Sequence, residues 1–261
     1  MQAIRVAVAG AAGKMGRESV RAIASQQDMQ LVAAIDPAVA GQDAGLVAGL
    51  PALNLTVLAD AEAAFAQSGP QVMVDFTTAA AAMPTLRAAL RRRIAVVVGT
   101  TGLSESDMQE IGALCSHHSV GAIVAPNFAI GAVLMMKFAC EAAKYLPCAE
   151  IIELHHDQKR DAPSGTALRT AELMQAAAGS ALRAGPGDQA SRGQSVGPIR
   201  VHSVRLQGLV AHQEVIFGGQ GQTLTIRHDS TGRESFMPGM LLAIRKATSV
   251  QGLVVGLENL L

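Results

Sequence analysis

The first 36 residues carry the pattern that most restricts the fold of this chain. Ile4–Ala9 is a short apolar run typical of a buried parallel strand, and residues 14–25 have the apolar spacing of a helix. Between them lie the three glycines of Gly10-Ala-Ala-Gly13-Lys-Met-Gly16, which allow a tight turn and let a pyrophosphate approach the helix N-terminus. Asp36 follows Gly16 by 20 residues and ends a second apolar run. An acidic residue at this spacing accepts hydrogen bonds from a nucleotide ribose, so the pattern predicts a dinucleotide site.

Further apolar runs alternate with helical stretches and indicate an α/β fold. Val72–Phe76, Ile94–Val98 and Ala122–Ala125 are typical of buried strands, and Ala79–Arg91 is typical of a helix. Strands that alternate with helices predict a Rossmann-like doubly wound parallel sheet with right-handed crossovers.

Two polar segments directly follow strands of this predicted sheet. Gly99-Thr100-Thr101-Gly102 follows one strand, and Pro126-Asn127-Phe128 follows the next. Ligands of doubly wound sheets bind at the carboxyl ends of the strands. Ordinary turn chemistry would also explain both segments, but their shared edge favours contact with the nicotinamide end of a dinucleotide.

The pattern changes after residue 127 and predicts a central α+β domain. We expect residues 1–127 and 237–261 to form the dinucleotide-binding domain and residues 128–236 to form a second, substrate-binding domain. The second domain is predicted to contain helices at 129–145 and 164–178, a strand at 151–155, a loop at 179–198, and antiparallel strands at 199–206, 208–217 and 222–228. A last helix begins at Met237 and returns to the first domain.

Composition excludes several functional classes. Of 261 residues, 49% are apolar and 16% are charged, so the chain can bury a core. Lys+Arg and Asp+Glu both number 21, and this neutral balance argues against a general nucleic-acid binder. The apolar run 119–136 is interrupted by Pro126-Asn127 and does not favour a membrane span. Three cysteines without a CxxC motif, and an N-terminus that leads straight into a strand, predict a cytoplasmic protein.

The segment from Glu153 to Thr166 carries the residues for chemistry on an anion. His155 and His156 can each give or take a proton near neutral pH, and Lys159 supplies a cation. Ser164-Gly165-Thr166 begins a helix, whose N–H groups suit a carboxylate. Adjacent residues on a strand point to opposite faces, so the two histidines are poor partners for one metal ion, and no metal site is predicted. The segment therefore predicts a site for a small dicarboxylate that undergoes one proton transfer.

The chain resembles the dihydrodipicolinate reductases, also called 4-hydroxy-tetrahydrodipicolinate reductases. The resemblance covers essentially the whole chain. Its carriers are residues 8–16, Asp75-Phe-Thr77, Gly99-Thr-Thr-Gly102, Pro126-Asn-Phe128, Glu153-Leu-His-His156 and Lys159-Arg-Asp-Ala-Pro-Ser-Gly-Thr166. It implies a homotetramer formed through the central domain. It also implies hydride transfer from NADH or NADPH to the substrate, with protonation and loss of water, in diaminopimelate and lysine biosynthesis.

The resemblance also implies a role for each site residue. His155 and Lys159 are the expected catalytic residues, and His156, Gly165 and Thr166 are expected to hold substrate carboxylates. The expected cofactor contacts are Gly10, Ala11, Ala12, Gly13, Lys14, Met15, Asp36, Gly99, Thr100, Thr101, Ala125, Pro126, Asn127 and Phe128.

The coenzyme that the sequence favours is NADH. A carboxylate at Asp36 would repel the 2′-phosphate of NADPH. Some family members carry an arginine after the ribose-binding acid and a basic residue after the Asp-Phe-Thr element. This chain has Pro37 and Thr78 at those positions, whereas Lys14 and Arg17 could still support some NADPH binding.

Two other functions fit part of the sequence. Another NAD(P)-dependent small-molecule dehydrogenase would share the glycine loop, but no catalytic Lys/Asp pair on a helix stands out. A non-catalytic dinucleotide sensor would need the glycine loop but not His155, Lys159 and Gly165-Thr166 together. Turnover of the substrate separates both alternatives from a reductase.

Overall fold

A computed structural model describes residues 2–187 and 189–261, so Met1 and Asp188 lie outside the described residues. The chain forms two compact units. The first unit runs to Phe128 and resumes at Phe236, and the second unit is Ala129–Ser235. The boundaries expected from the sequence, after residues 127 and 236, each lie one residue from these.

The first unit contains a sheet of seven strands, all parallel, in the order β12-β6-β5-β4-β1-β2-β3. This arrangement confirms the doubly wound fold, with the strand order reversing beside β1. The strands are β1 (Ile4–Ala9), β2 (Met29–Ile35), β3 (Val57–Leu58), β4 (Val72–Asp75), β5 (Ala95–Val98), β6 (Gly121–Val124) and β12 (Gly252–Val255).

The helices of the first unit flank this sheet and complete its core. Every residue of β4, β5 and β6 is buried, as expected for parallel strands with both faces covered. The last helix lies close to Phe128, since a Cβ at its Gly239 would lie 2.0 Å from the Phe128 carbonyl oxygen. The helices are α1 (Lys14–Ala24), α2 (Ala44–Ala48), α3 (Ala61–Ser68), α4 (Ala79–Arg91), α5 (Glu105–His118) and α8 (Met237–Ala247).

The second unit is a mixed five-stranded sheet in the order β11-β10-β7-β9-β8, with two helices. Both helices pack on one face of the sheet. Gly131 of α6 lies against His228, and Thr170 of α7 is hydrogen-bonded to Gln213. Gln213 and His228 are paired across neighbouring strands, so their side chains point to the same face. The elements are α6 (Ile130–Ala142), β7 (Cys148–His155), α7 (Gly165–Ala178), β8 (Gln194–Val196), β9 (Ile199–Arg205), β10 (Ala211–Gly219) and β11 (Gln222–Ser230).

Two expectations for the second unit were wrong in part. The strands after residue 198 do not form one antiparallel series, because β9 pairs in parallel with β7, and β7 separates it from β10. The helix α7 is the crossover that a parallel pair requires. The predicted loop 179–198 also contains β8, which pairs antiparallel with β9. A strand of three residues is too short to produce a readable period in the sequence.

No helix within the described residues is long and apolar enough to cross a membrane.

Candidate active site

The glycine loop between β1 and α1 requires glycine at two of its positions. Gly10 has a φ of +76°, and a Cβ there would lie 2.6 Å from the Phe76 carbonyl oxygen. A Cβ at Gly16 would lie 2.0 Å from the Gly10 carbonyl oxygen, so a side chain would separate α1 from the loop. The loop therefore brings the start of α1 close to the strand ends.

The N-terminus of α1 is open to an anion. Its N-cap residue is Gly13, and in the described chain no side chain caps the helix. The first N–H groups of a helix have no intrahelical partners, so the main-chain N–H groups of Lys14 and Met15 can bind a pyrophosphate. Ala11 is buried, and Ala12 is half-buried.

Asp36 connects the glycine loop to the end of β2. Its Oδ2 accepts a hydrogen bond from the Ala12 N–H at 2.9 Å, and its Oδ1 accepts one from the Ala38 N–H at 3.0 Å. A cleft of about 540 Å3 contains Gly10, Gly13 and Asp36 in its wall, together with Asp60. The open helix end, the close-packed glycines and this carboxylate fit a dinucleotide.

The segments after β4, β5 and β6 meet through aromatic packing. A Cβ at Gly99 would lie 2.1 Å from the Phe76 ring, so only glycine admits the ring. The rings of Phe76 and Phe128 pack edge to face with centroids 5.8 Å apart. The structure thus brings together two of the predicted cofactor segments, 99–101 and 125–128, at the carboxyl edge of the sheet.

Asp75 is a buried carboxylate at this edge. Its Oδ1 accepts hydrogen bonds from the Thr77 N–H at 3.1 Å, the Thr77 hydroxyl at 2.8 Å and the Thr100 hydroxyl at 2.5 Å. Its Oδ2 is buried without a hydrogen-bond partner among the described residues. Burial raises the pKa of Asp75, although the three hydrogen bonds oppose this shift. Asp75 therefore couples the segments after β4 and β5.

His155, the predicted proton donor, ends β7 in the second unit. Glu153 precedes it by two residues on the same strand, so both side chains point to the same face. The Glu153 side chain is fully buried, and its Oε2 accepts a hydrogen bond from His155 Nδ1 at 2.5 Å.

Arg205, at the end of β9, binds the same carboxylate with both arms of its guanidinium. One nitrogen donates to Glu153 Oε2 and the other to Oε1, both at 2.8 Å. The guanidinium also donates to the carbonyl oxygens of Lys159, at 3.2 Å, and Asp161, at 2.6 Å. Arg205 thus connects β9 to the strand that carries His155 and to the turn that carries Lys159.

The Glu153 carboxyl is ionised in spite of its burial. Burial alone would raise its pKa, but hydrogen bonds from His155, Arg205 and Ser203 outweigh that effect and lower the pKa to about 2. The main-chain N–H of Ser164 also donates to Oε1, at 3.1 Å.

Lys159 is not a free cation in this structure. Its Nζ donates to both carboxylate oxygens of Asp161, at 2.8 and 2.7 Å. The hydrogen bond from Lys159 lowers the pKa of Asp161. The sequence predicted that Lys159 binds a substrate carboxylate and assigned no role to Asp161. In the structure the Asp161 carboxylate takes the position next to the Lys159 ammonium group.

The N-terminus of α7 has the predicted cap. The Ser164 hydroxyl accepts a hydrogen bond from the Ala167 N–H at 3.2 Å. Gly165 and Thr166 form the first turn, and a Cβ at Gly165 would meet no atom within 4 Å. There is therefore space at the start of this helix for a ligand group, on the same turn segment that carries His156 and Lys159.

The sequence missed Glu153 and Arg205 as site residues, for different reasons. Glu153 could have been found from its two-residue spacing to His155 on a strand. Arg205 follows Glu153 by 52 residues, and only the parallel pairing of β7 with β9 brings it opposite His155. Within residues 2–187 and 189–261, no three His, Cys, Asp or Glu side chains form a group that could hold a metal ion.

Comparison with known proteins matches both units to one family. The family model for the N-terminus of dihydrodipicolinate reductase matches residues 4–128, and the model for its C-terminus matches residues 131–261. The 4-hydroxy-tetrahydrodipicolinate reductase of Moorella thermoacetica is 54% identical over 99% of this chain and 98% of the relative. That of Desulfitobacterium hafniense is 51% identical over the full length of both chains. A dipicolinate-bound dihydrodipicolinate reductase from Paenisporosarcina sp. TG-14 matches with a TM-score of 0.88 and 43% identity, covering all of both chains.

Replacement of Asp75 by asparagine tests the buried carboxylate. The asparagine carbonyl can keep the acceptor role of Oδ1, while the charge is removed. Because the folded-state pKa of Asp75 is raised, the contribution of this carboxyl to stability is fully present below its ordinary value of 3.8 and is lost as pH rises through the folded-state pKa. We expect the melting temperature of Asp75→Asn, relative to wild type, to be higher at about pH 7 than at about pH 4. An equal difference in melting temperature between variant and wild type at both pH values would contradict a raised pKa of Asp75.

Proposed function

The chain belongs to the dihydrodipicolinate reductase family, and we propose that its first unit binds the pyridine nucleotide while its second unit binds and protonates the substrate. The chain is an oxidoreductase that reduces 4-hydroxy-tetrahydrodipicolinate, in diaminopimelate and lysine biosynthesis. The observation that carries the assignment of residues is the segment from His155 to Thr166. It places an imidazole, an ammonium group and a helix N-terminus with free space at Gly165 on one stretch of chain.

The cofactor contacts that we propose lie along the carboxyl edge of the first sheet. The start of α1, with Lys14 and Met15, holds the pyrophosphate, and Asp36 accepts hydrogen bonds from the adenine ribose. Segments 99–101 and 125–128 contact the nicotinamide end. When bound, the dihydronicotinamide supplies the hydride. The remaining chemistry is the task of residues in the second unit.

The substrate is a small dicarboxylate, which the second unit can bind at two positive positions. The Lys159 ammonium attracts one carboxylate, and the N–H groups of Gly165 and Thr166 receive the other together with His156. The dipicolinate bound to the Paenisporosarcina protein, itself a dicarboxylate, supports this class of ligand.

We assign the proton transfer to His155 and charge stabilisation to Lys159. The 4-hydroxyl group and a proton from the neighbouring ring carbon leave together as water, which forms the conjugated C=C–C=N system. Hydride addition to that system then leaves negative charge on the ring. His155 donates a proton to a ring carbon, and Lys159 stabilises the charge that develops before that transfer. For substrate to reach Lys159, its carboxylate must replace Asp161 on the ammonium group.

Replacement of Lys159 by alanine tests this role. We expect kcat to fall by about 10²-fold or more, because the variant loses a cation that acts in the transition state. The assay follows loss of NADH absorbance with the condensation product of pyruvate and aspartate semialdehyde. Lys144→Ala is a matched control, since Lys144 also pairs with a nearby carboxylate, that of Glu141, and it should keep wild-type turnover. Unchanged kcat in Lys159→Ala would remove Lys159 from the mechanism, and no turnover by the folded wild-type chain would favour the sensor alternative.

We further propose that NADH is preferred over NADPH. The cleft that contains Asp36 also contains Asp60 and Glu62, and neither Pro37 nor Thr78 in its wall carries a positive charge. A 2′-phosphate would therefore enter a negative environment. Arg17, which could have offset it, donates its Nε–H to the Ala12 carbonyl oxygen at 2.8 Å.

Steady-state kinetics with both coenzymes check this preference. We expect a higher kcat/KM with NADH than with NADPH. Asp36→Ala should lower the ratio of kcat/KM with NADH to kcat/KM with NADPH, because the variant loses the ribose contacts of NADH and no longer repels the 2′-phosphate of NADPH. Glu105→Ala, a change of an acidic residue at the start of α5, serves as the control and should keep the wild-type ratio. A wild-type kcat/KM that is higher with NADPH would refute the preference.

We also propose a homotetramer formed through the second unit. The face of its sheet away from α6 and α7 carries the half-buried apolar side chains of Ile152, Leu154, Val204 and Ile216. Sedimentation analysis should give a mass of about four times the chain mass of 26.9 kDa. A mass equal to that of one chain would contradict the proposal.

A cytoplasmic location also remains a prediction.

A further inference from the structure

We propose that Glu153 and Arg205 are positioning residues that determine which nitrogen of His155 carries the reacting proton. The inference rests on the proposed role of His155 as the proton donor. Neither residue needs to touch the substrate. They act through His155, and their contacts lie wholly within the second unit.

The ionised Glu153 carboxylate fixes the hydrogen-bonding role of one imidazole nitrogen. A carboxylate can only accept hydrogen bonds, so the contact of 2.5 Å requires Nδ1 of His155 to be the donor. A proton therefore stays on Nδ1, and Nε2 is the nitrogen that can release one to a substrate. A neutral imidazole protonated on Nδ1 is the product of that release, and the carboxylate also stabilises the imidazolium that precedes it.

Arg205 keeps this carboxylate ionised and correctly oriented. A fully buried carboxylate without a cation would favour its protonated form. The bidentate contact fixes both oxygens, so Oε2 faces His155 while Oε1 also receives the Ser164 N–H. The two arms of Arg205, the Ser164 N–H and His155 thus all act on the two oxygens and hold the carboxylate in one plane.

A second Glu–Arg–His cluster, formed around Glu150 of the same strand β7, provides an internal comparison. Glu150 contacts Arg192 and also His202, whose Nε2 lies 2.7 Å from Glu150 Oε2. Glu150 is an odd number of residues from Glu153 along β7 and therefore points to the other face of the sheet. Glu150 has the same kinds of partner as Glu153, an arginine and a histidine, but it has no contact with His155 in the described structure.

Replacement of Glu153 by glutamine tests the proposal. The Ser164 N–H and one arm of Arg205 donate at the Oε1 position and require the amide oxygen there, since the main-chain N–H cannot change its role. The amide NH2 group then faces His155 and becomes the donor, and the other arm of Arg205 loses its acceptor. Nδ1 must then accept, and the proton moves to Nε2. We expect 15N solid-state NMR of histidine-labelled protein to show this reversal of tautomer at His155. We also expect kcat to fall by about 10²-fold or more, with a smaller change in KM.

The matched control is Glu150→Gln, assayed at the same association state as the wild type. It should alter the 15N signals of His202 and leave those of His155, and turnover, unchanged. If Glu153→Gln leaves the His155 tautomer unchanged, the proposal is overturned.

A double variant separates positioning from a purely structural role. Glu153→Gln alone leaves the buried guanidinium without its carboxylate and should lower the melting temperature. Glu153→Gln with Arg205→Met removes both partners and should recover most of that loss. If the pair positions His155, kcat stays low in the double variant. Recovery of kcat together with stability would mean that the pair is only structural.

His155→Gln separates failure of this inference from failure of the proposed function. Loss of turnover in His155→Gln supports the proton-donor role, and wild-type turnover would reject that role. The tautomer measurement on Glu153→Gln does not depend on turnover. It therefore shows whether the pair sets the protonated nitrogen even if another group proves to be the acid.

Discussion

The buried ion pair between Glu153 and Arg205 is the interaction on which the proposed substrate site of the second unit depends. A carboxylate with no exposure to solvent is costly unless it is paired and hydrogen-bonded. Here the donors come from three places: the end of β9, the start of α7 and His155 itself. Satisfying one buried charge therefore places the strand end, the helix start and the imidazole together.

The first unit uses a buried carboxylate differently. Asp75 gathers all its hydrogen bonds on one oxygen, and its other oxygen is buried without a partner in the described chain. It meets no cation among the groups that shift its pKa, so burial dominates and the pKa rises. Glu153 has both oxygens occupied and a guanidinium beside it, so its pKa falls. The balance between burial and donors, rather than burial alone, decides which carboxylate keeps its charge.

The sequence was sufficient where a feature depends on neighbouring residues. The glycine loop, the strand that ends at Asp36 and the helix that begins after Ser164 are local patterns, and the structure contains each of them. It was insufficient where a feature depends on strand pairing. Arg205 becomes opposite to His155 only because β9 pairs in parallel with β7, and nothing near either residue indicates that register. The same limit explains the wrong expectation of an antiparallel series.

Two cations of the second unit, Arg205 and Lys159, differ in how firmly they are held, and the difference suits the roles proposed for them. Arg205 is mostly buried and bound to a fully buried carboxylate by two parallel hydrogen bonds, so exchanging its partner would expose a buried charge. Lys159 pairs with Asp161, whose side chain is 60% exposed. Water screens such a pair, so it contributes about 1 kcal/mol or less to the free energy of folding. In the proposed mechanism a substrate carboxylate can therefore replace Asp161 at little cost, because the released side chain returns to solvent. The permanent pair preserves the geometry of the proposed acid, and the exchangeable pair holds Lys159 in position until an anionic ligand takes the place of Asp161.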